Sequence, residues 1–349
     1  MPLPAHLPDL LVHDDGETVD SPEEWSVRRA QILDAISSII GVPPSNDIAL
    51  DAQTHSAQRC DNYQRLRVSF QTEDDERVPA WLLVPHEWDE PGPAVLCLHQ
   101  TVDCGKDEPV GLGDSVQLAY AHELASTGYV TLAPDHLCAG ERIKEGLDPY
   151  DTSKFYEKHP DWSAVGKAVW DGSRALDYMH TLTGLINSEA IGCIGHSLGG
   201  HSAVFLSAMD NRIAATVSNC GLTTFQDDPN RLNWARDSWY RYMPRLRPYF
   251  EDGARAPFDM HDLAALVAPR PLLNISALND KCFADTEALA DLGVQVHRVY
   301  RLLDAAEGFS NHLHGMGHGF PNELRGYAYG WLDRWLKDDD VWPLRDGEA

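Results

Sequence analysis

The chain has 349 residues and 43% hydrophobic content, enough for a sizeable core without disulfides. Its 54 acidic against 28 basic residues give a formal net charge of -26, which opposes binding to nucleic-acid phosphate and to anionic membrane surfaces. No run of about 18 apolar residues offers a membrane span. Residues 1–6 lack the basic and apolar regions of a secretory signal, and seven scattered cysteines without a C-x-x-C pair read as free thiols in a reducing cytoplasm.

In chain order, residues 1–60 read as a helical extension packed on a main domain at 61–349. Ser21-Pro22-Glu23-Glu24 is a helix start, with serine at the cap, proline at the first helical position and glutamate closing a capping box. That helix is expected to end near Ile40, before Gly41, Pro43 and Pro44. Alternating segments at 65–70 and 78–84, joined by the acidic turn 73–76, predict a hairpin. The apolar run 94–98 predicts a strand buried on both faces. A helix at 115–127, a strand at 129–133, a loop at 136–160 and a helix at 163–182 follow. Further strands are expected at 190–194, 213–218, 271–276 and 294–302. A last helix at 322–336 carries Leu324, Tyr327, Ala328, Trp331, Leu332 and Trp335 on one face. Strands alternating with helices predict an α/β fold with a mostly parallel central sheet flanked by helices. The stretch 222–262 is too long for a simple crossover and is rich in aromatic residues. It reads as a lid, with Trp234, Trp239 and Tyr240 as substrate-binding candidates.

Gly195-His196-Ser197-Leu198-Gly199 is a G-x-S-x-G pentapeptide between a predicted strand and a predicted helix. A serine on so sharp a turn is pushed out of the end of the sheet, and the following helix N-terminus offers free N–H groups. A serine hydroxyl needs a base and a third group that orients the base. In this architecture the chain order is serine, acid, histidine. The acid is assigned to Asp280, the first acidic residue after the strand at 271–276, with Asp285 as runner-up. The base is assigned to His318, within Gly317-His318-Gly319-Phe320-Pro321 just before the last helix. His312, His314 and His318 also spell H-x-H-x3-H, a competing zinc pattern. They share one predicted loop and lack an H-E-x-x-H helix, so no metal is expected, and His312 and His314 read as polar wall residues. The oxyanion donors are expected to be the Leu198 amide and the Thr101 amide, with Gln100 as the alternative. Glu141 and Arg142 are candidates for contact with a polar substrate, or for pairing with each other, and Arg142 is kept as a substrate-binding candidate.

Together, His99-Gln100-Thr101, Pro134-Asp135, the pentapeptide, Asn279-Asp280 and Gly317-His318-Gly319-Phe320-Pro321 resemble the α/β-hydrolase superfamily, most closely its dienelactone hydrolase and acetyl xylan esterase-like branch. The resemblance covers about residues 60–337. It implies an α/β-hydrolase fold, hydrolysis of small carboxylic esters without a cofactor, and triad roles for Ser197, Asp280 and His318. Serine in place of the cysteine expected of a dienelactone hydrolase points toward an esterase. The expected partner is a small-molecule ester, an acetyl or other small acyl ester that includes sugar esters, and a homo-oligomer is compatible with the N-terminal extension. The alternatives are an amidase, peptidase or lactone hydrolase on the same triad, and a non-catalytic ligand-binding protein.

Overall fold

The computed structural model describes residues 7–44, 47–87, 90–226, 228–283 and 286–337. Nine strands form one sheet: β1 Gln53–Arg59, β2 Tyr63–Glu73, β3 Glu76–Pro85, β4 Gly92–Leu98, β5 Val130–Pro134, β6 Ile186–His196, β7 Ala215–Asn219, β8 Leu272–Ala277 and β9 Phe309–His314. Their spatial order is β1-β2-β3-β5-β4-β6-β7-β8-β9. The first three strands pair antiparallel, and β3 is antiparallel to β5. From β5 to β9 every pairing is parallel.

Helices cover both faces: α1 Pro22–Ile40, α2 Tyr120–Ser126, α3 Ser153–Lys158, α4 Ala164–Thr181, α5 Leu198–Met209, α6 Arg247–Glu251, α7 Met260–Ala265, α8 Thr286–Leu302 and α9 Asn322–Leu336. The alternation of side chains along a strand divides the core. On β4, Val95 and Cys97 pack with α2 and α9, while Ala94, Leu96 and Leu98 pack with α4 and α5. This explains why 94–98 is apolar throughout. The capping box at Ser21 and Glu24 is present, and Gly41 takes φ 75° where α1 ends. α1 buries Ile32, Ile36, Ile39 and Ile40 in the same apolar cluster as Trp162 and Val165.

Three differences from the sequence reading have clear causes. The sheet begins with β1, inside the segment read as helical extension. Both its faces are exposed and polar, so no apolar alternation marks it. Residues 294–302, read as a strand, are the second half of α8. Val296, Val299 and Tyr300 are buried with Leu289 and Leu292 at helical spacing, while Val294 faces solvent. The last strand is instead β9, a polar edge strand that carries His312 and His314. In α9, Tyr327 lies at the exposed edge of the apolar face, its hydroxyl 2.9 Å from Ser310 Oγ. No described helix is long and apolar enough to cross a membrane. All seven cysteines are free.

Candidate active site

Ser197 sits between β6 and α5 with φ 53° and ψ -116°, a conformation that ordinary residues rarely adopt. The turn closes only because its neighbours lack side chains. A Cβ on Gly195 would lie 2.1 Å from the Gly199 carbonyl oxygen, and one on Gly199 would lie 1.8 Å from that of Leu98. The Ser197 amide donates to the Asn219 carbonyl (2.9 Å), which ties the turn to the end of β7. The Leu198 amide opens α5, where first-turn N–H groups have no acceptor within the helix.

Asp280 follows β8 and His318 follows β9. The His318 Nδ1 and Asp280 Oδ2 are 2.6 Å apart. The other Asp280 oxygen accepts the amides of Cys282 (2.7 Å) and Phe283 (3.2 Å). Burial alone would raise the Asp280 pKa. The hydrogen bond from His318 and those two amides outweigh it, so the carboxylate stays ionised below its usual range. With Nδ1 engaged, Nε2 is the ring nitrogen free for proton transfer. The loop that carries His318 is fastened on two sides. The Gly317 amide donates to Asn279 Oδ1 (2.9 Å), and Asn219 Nδ2 donates to the Gly319 carbonyl (3.0 Å). Asn219 Nδ2 also lies 2.7 Å from His196 Nδ1, and the His196 ring packs 4.9 Å from that of His318. Burial holds His196 neutral, with a pKa of about 3.

The loop after β4 is equally constrained. His99 Nε2 accepts the His136 amide (3.0 Å), so the neutral ring carries its proton on Nδ1, which donates to the Gln100 carbonyl (2.7 Å). Burial lowers the His99 pKa to about 4 and keeps this tautomer neutral. The Tyr150 hydroxyl accepts the Val102 amide (2.8 Å) and lies 3.2 Å from the Gln100 carbonyl. These bonds orient the peptide groups on either side of Thr101. Asn219 and Tyr150 carry no sequence signature of their own, because each acts on backbone groups distant in the chain.

A cleft of about 560 Å³ joins these parts. Gln100, Thr101, Ser197, Leu198 and His318 line it, together with Trp234 and Tyr240 from the segment read as a lid. Asp280 lies beneath it, 8% exposed. Two substrate-binding candidates lie elsewhere. Arg142 is buried and pairs with Glu76 (2.6 Å) and Asp171 (2.8 Å), away from the cleft lining. Trp239 is exposed and donates its indole N–H to the Pro149 carbonyl (2.8 Å). Glu141 pairs with Arg67 and Lys106 rather than Arg142. His312 and His314 lie on β9 outside the cleft lining, and Asp285 lies outside the described residues.

The family model of the Abhydrolase family matches residues 16–315. The chain belongs to this family. Carbohydrate esterase MZ0003, from an unknown prokaryotic organism, is 25% identical over 346 residues, covering 85% of this chain and 78% of that protein. The 4-O-methyl-glucuronoyl methylesterase 1 of Wolfiporia cocos (strain MD-104) is 26% identical over 366 residues, covering 96% of this chain and 81% of that one. Among solved structures, a glucuronoyl esterase from Solibacter usitatus superposes with a TM-score of 0.75 at 18% identity, covering 95% of this chain and 98% of that one. The fold is that of an α/β-hydrolase, and this family member is a carboxylic ester hydrolase.

Proposed function

We propose that the chain is a serine esterase that cleaves a carboxylic ester carried by a sugar, through an acyl-enzyme on Ser197. The observation that carries the reading is a strained serine at a helix N-terminus in one cleft with a histidine already bonded to a buried carboxylate. In this reading the Ser197 oxygen attacks the ester carbonyl while His318 Nε2 takes its proton. Asp280 keeps the proton on Nδ1 and stabilises the imidazolium. The Leu198 and Thr101 amides take the oxyanion, Leu198 aided by the positive end of α5. His318 then protonates the departing alcohol and activates the water that releases the acid.

The sugar part of the proposal rests on polar groups buried in the cleft without partners. His201 is buried, and its ring meets the Gly221 backbone at one nitrogen only, which leaves the other without a partner. The Tyr242 hydroxyl lies beside Ser202, and Gln100 Oε1 is buried without a partner. Leaving such an atom unpaired costs about 1–3 kcal/mol, a cost that a ligand rich in hydroxyl groups removes once the side chain turns toward the cleft. Trp234 packs against both His201 and Tyr242 and offers an aromatic wall for a sugar face. The two relatives, named as a carbohydrate esterase and a glucuronoyl methylesterase, support the same substrate class.

Turnover of p-nitrophenyl acetate, acetylated sugars and methyl glucuronate by the wild type and Ser197→Ala tests both parts. The variant is expected to be inactive with an unchanged circular dichroism spectrum, and sugar esters are expected to exceed the aryl ester in kcat/KM. Retained activity in Ser197→Ala refutes the nucleophile. A preference for the aryl ester refutes the sugar.

A further inference from the structure

Cys220 follows β7 with φ 48°, an uncommon conformation for a residue with a side chain. Its amide is held by the Ile275 carbonyl (2.7 Å), so the strained backbone is anchored to β8. The thiol is buried beneath the cleft, against the carboxylate of Asp280. Cys220 Sγ, an Asp280 oxygen and a His318 ring nitrogen all lie within 4.8 Å of one another. The described residues contain no other group of three or more such ligands so arranged.

We infer that Cys220, Asp280 and His318 form an inhibitory site for a thiophilic divalent cation, of which zinc is the natural case. This rests on the reading of His318 as the catalytic base. Zinc binds thiolate at about 2.3 Å and imidazole or carboxylate at about 2.0–2.2 Å. On these bond lengths tetrahedral zinc ligands stand about 3.3–3.8 Å apart, and the three atoms here all lie within 4.8 Å of one another. One soft sulfur, one imidazole and one carboxylate suit zinc and not magnesium or calcium, which take oxygen ligands. Cys282 and His318 line the cleft, so an ion and its fourth ligand, a water, enter from the substrate side.

The consequence for catalysis follows from the proton inventory. On binding, the Cys220 thiol releases its proton to solvent and the sulfur bonds to the metal. If the metal takes His318 Nδ1, the remaining ring proton sits on Nε2, and that nitrogen can no longer accept the serine proton. If it takes Nε2, the base is occupied outright. In both cases the Asp280 carboxylate is diverted to the metal. The esterase is thus held off by metal and restored by chelation, with no chemical change to the protein.

Two measurements on the full chain test the site. In the first, ZnCl₂ is titrated against aryl-ester turnover, each variant being normalised to its own activity without metal. Wild type is expected to be inhibited at low micromolar zinc and restored by EDTA. Cys220→Ala and Cys220→Ser are each expected to shift the midpoint upward by about tenfold or more, and the surface-facing Cys282→Ser by much less. Equal inhibition of wild type and both Cys220 variants, or a shift from Cys282→Ser alone, overturns the site. In the second, Co²⁺ is added and the thiolate-to-cobalt charge-transfer band is recorded, a readout independent of activity. The band is expected in wild type and lost in the Cys220 variants, and its absence from wild type overturns the site. A Cys220-dependent band without any inhibition keeps the metal site and refutes His318 as the base.

Discussion

Compare two regions of this molecule that bury polar side chains, one built on paired charges and the other on neutral groups. Between the β2–β3 hairpin and α4, Lys167 is fully enclosed and pairs with Glu73 (2.9 Å) and Asp171 (2.7 Å), while Arg142 pairs with Asp171 and Glu76. Each charge there faces an opposite one, so Glu76 stays ionised far below the usual range despite burial, held by Arg142 and Lys167. In the cleft, Gln100 Oε1 and one ring nitrogen of His201 are buried without partners, and Ser197 is held in a strained turn. The first region uses polarity to join distant segments of chain. The second leaves polarity unspent, which destabilises the empty fold and favours a ligand that completes it. The contrast shows why Arg142 misled a reading of the sequence. An arginine looks the same on paper whether its carboxylates are supplied by the protein or by a substrate.

The comparison can be broken at the cleft first. Ser197→Ala is expected to lower kcat roughly a million-fold with no loss of stability, measured as initial rates alongside a thermal melt. Asp280→Asn keeps the shape of the pair, but its amide N–H donates to His318 Nδ1 and leaves the ring proton on Nε2. It is expected to lower kcat about 10⁴-fold, and a drop of under about tenfold would show that Asp280 does not orient the base.

At the ion cluster the expectation reverses. Arg142→Met leaves Glu76 and Asp171 to share the Lys167 ammonium, which already serves Glu73, and is expected to cost about 3–5 kcal/mol of stability by urea denaturation, with KM unchanged at a temperature where the variant is folded. An altered KM would return Arg142 to the substrate.

A smaller effect separates the unpaired cleft residues from the triad. His201→Leu is expected to raise KM for a sugar ester by about tenfold, the value of one lost hydrogen bond to a buried group, while leaving kcat/KM for p-nitrophenyl acetate within about twofold.

The pH dependence of stability sharpens the same point. Burial holds His99 at a pKa of about 4 and His196 and His201 at about 3, against 6.5 for an unperturbed ring. Below pH 6.5 the unfolded rings bind protons that the folded ones do not, so stability falls as pH drops toward the folded values and is fully present above 6.5. Each ring contributes at most about 1.4 kcal/mol per pH unit. In urea midpoints taken between about pH 7 and about pH 5, His201→Phe is expected to flatten the slope by one ring's share. An unchanged slope would mean that His201 is protonated in the folded protein.

The sequence was most legible where local rules act. The Ser21 capping box, the bounds of α9 and the glycines around Ser197 each follow from backbone sterics within a few residues. Asp280 could be chosen because a predicted strand end precedes it and His318 because it sits on a glycine-flanked turn just before the last helix, and the structure bonds them to each other. The edge strands β1 and β9 were not legible, since β1 is exposed and β9 is half-buried and mostly polar, and neither shows apolar alternation. Residues 294–302 misled because valines suit strands, whereas burial at Val296 and Val299 follows a helical period.

By itself the sequence determined the turn at Ser197, the alternation of strands and helices, and the order of serine, acid and histidine along the chain. These are short-range consequences of glycine, of side-chain period and of connection length. Only the tertiary structure decided which polar residues meet. Glu76 and Asp171 capture Arg142 from positions far along the chain, Asn219 and Tyr150 brace loops that lie remote from them in sequence, and Trp234 packs on the buried His201. Such pairings depend on where whole strands and helices come to rest, which no local pattern of residues encodes.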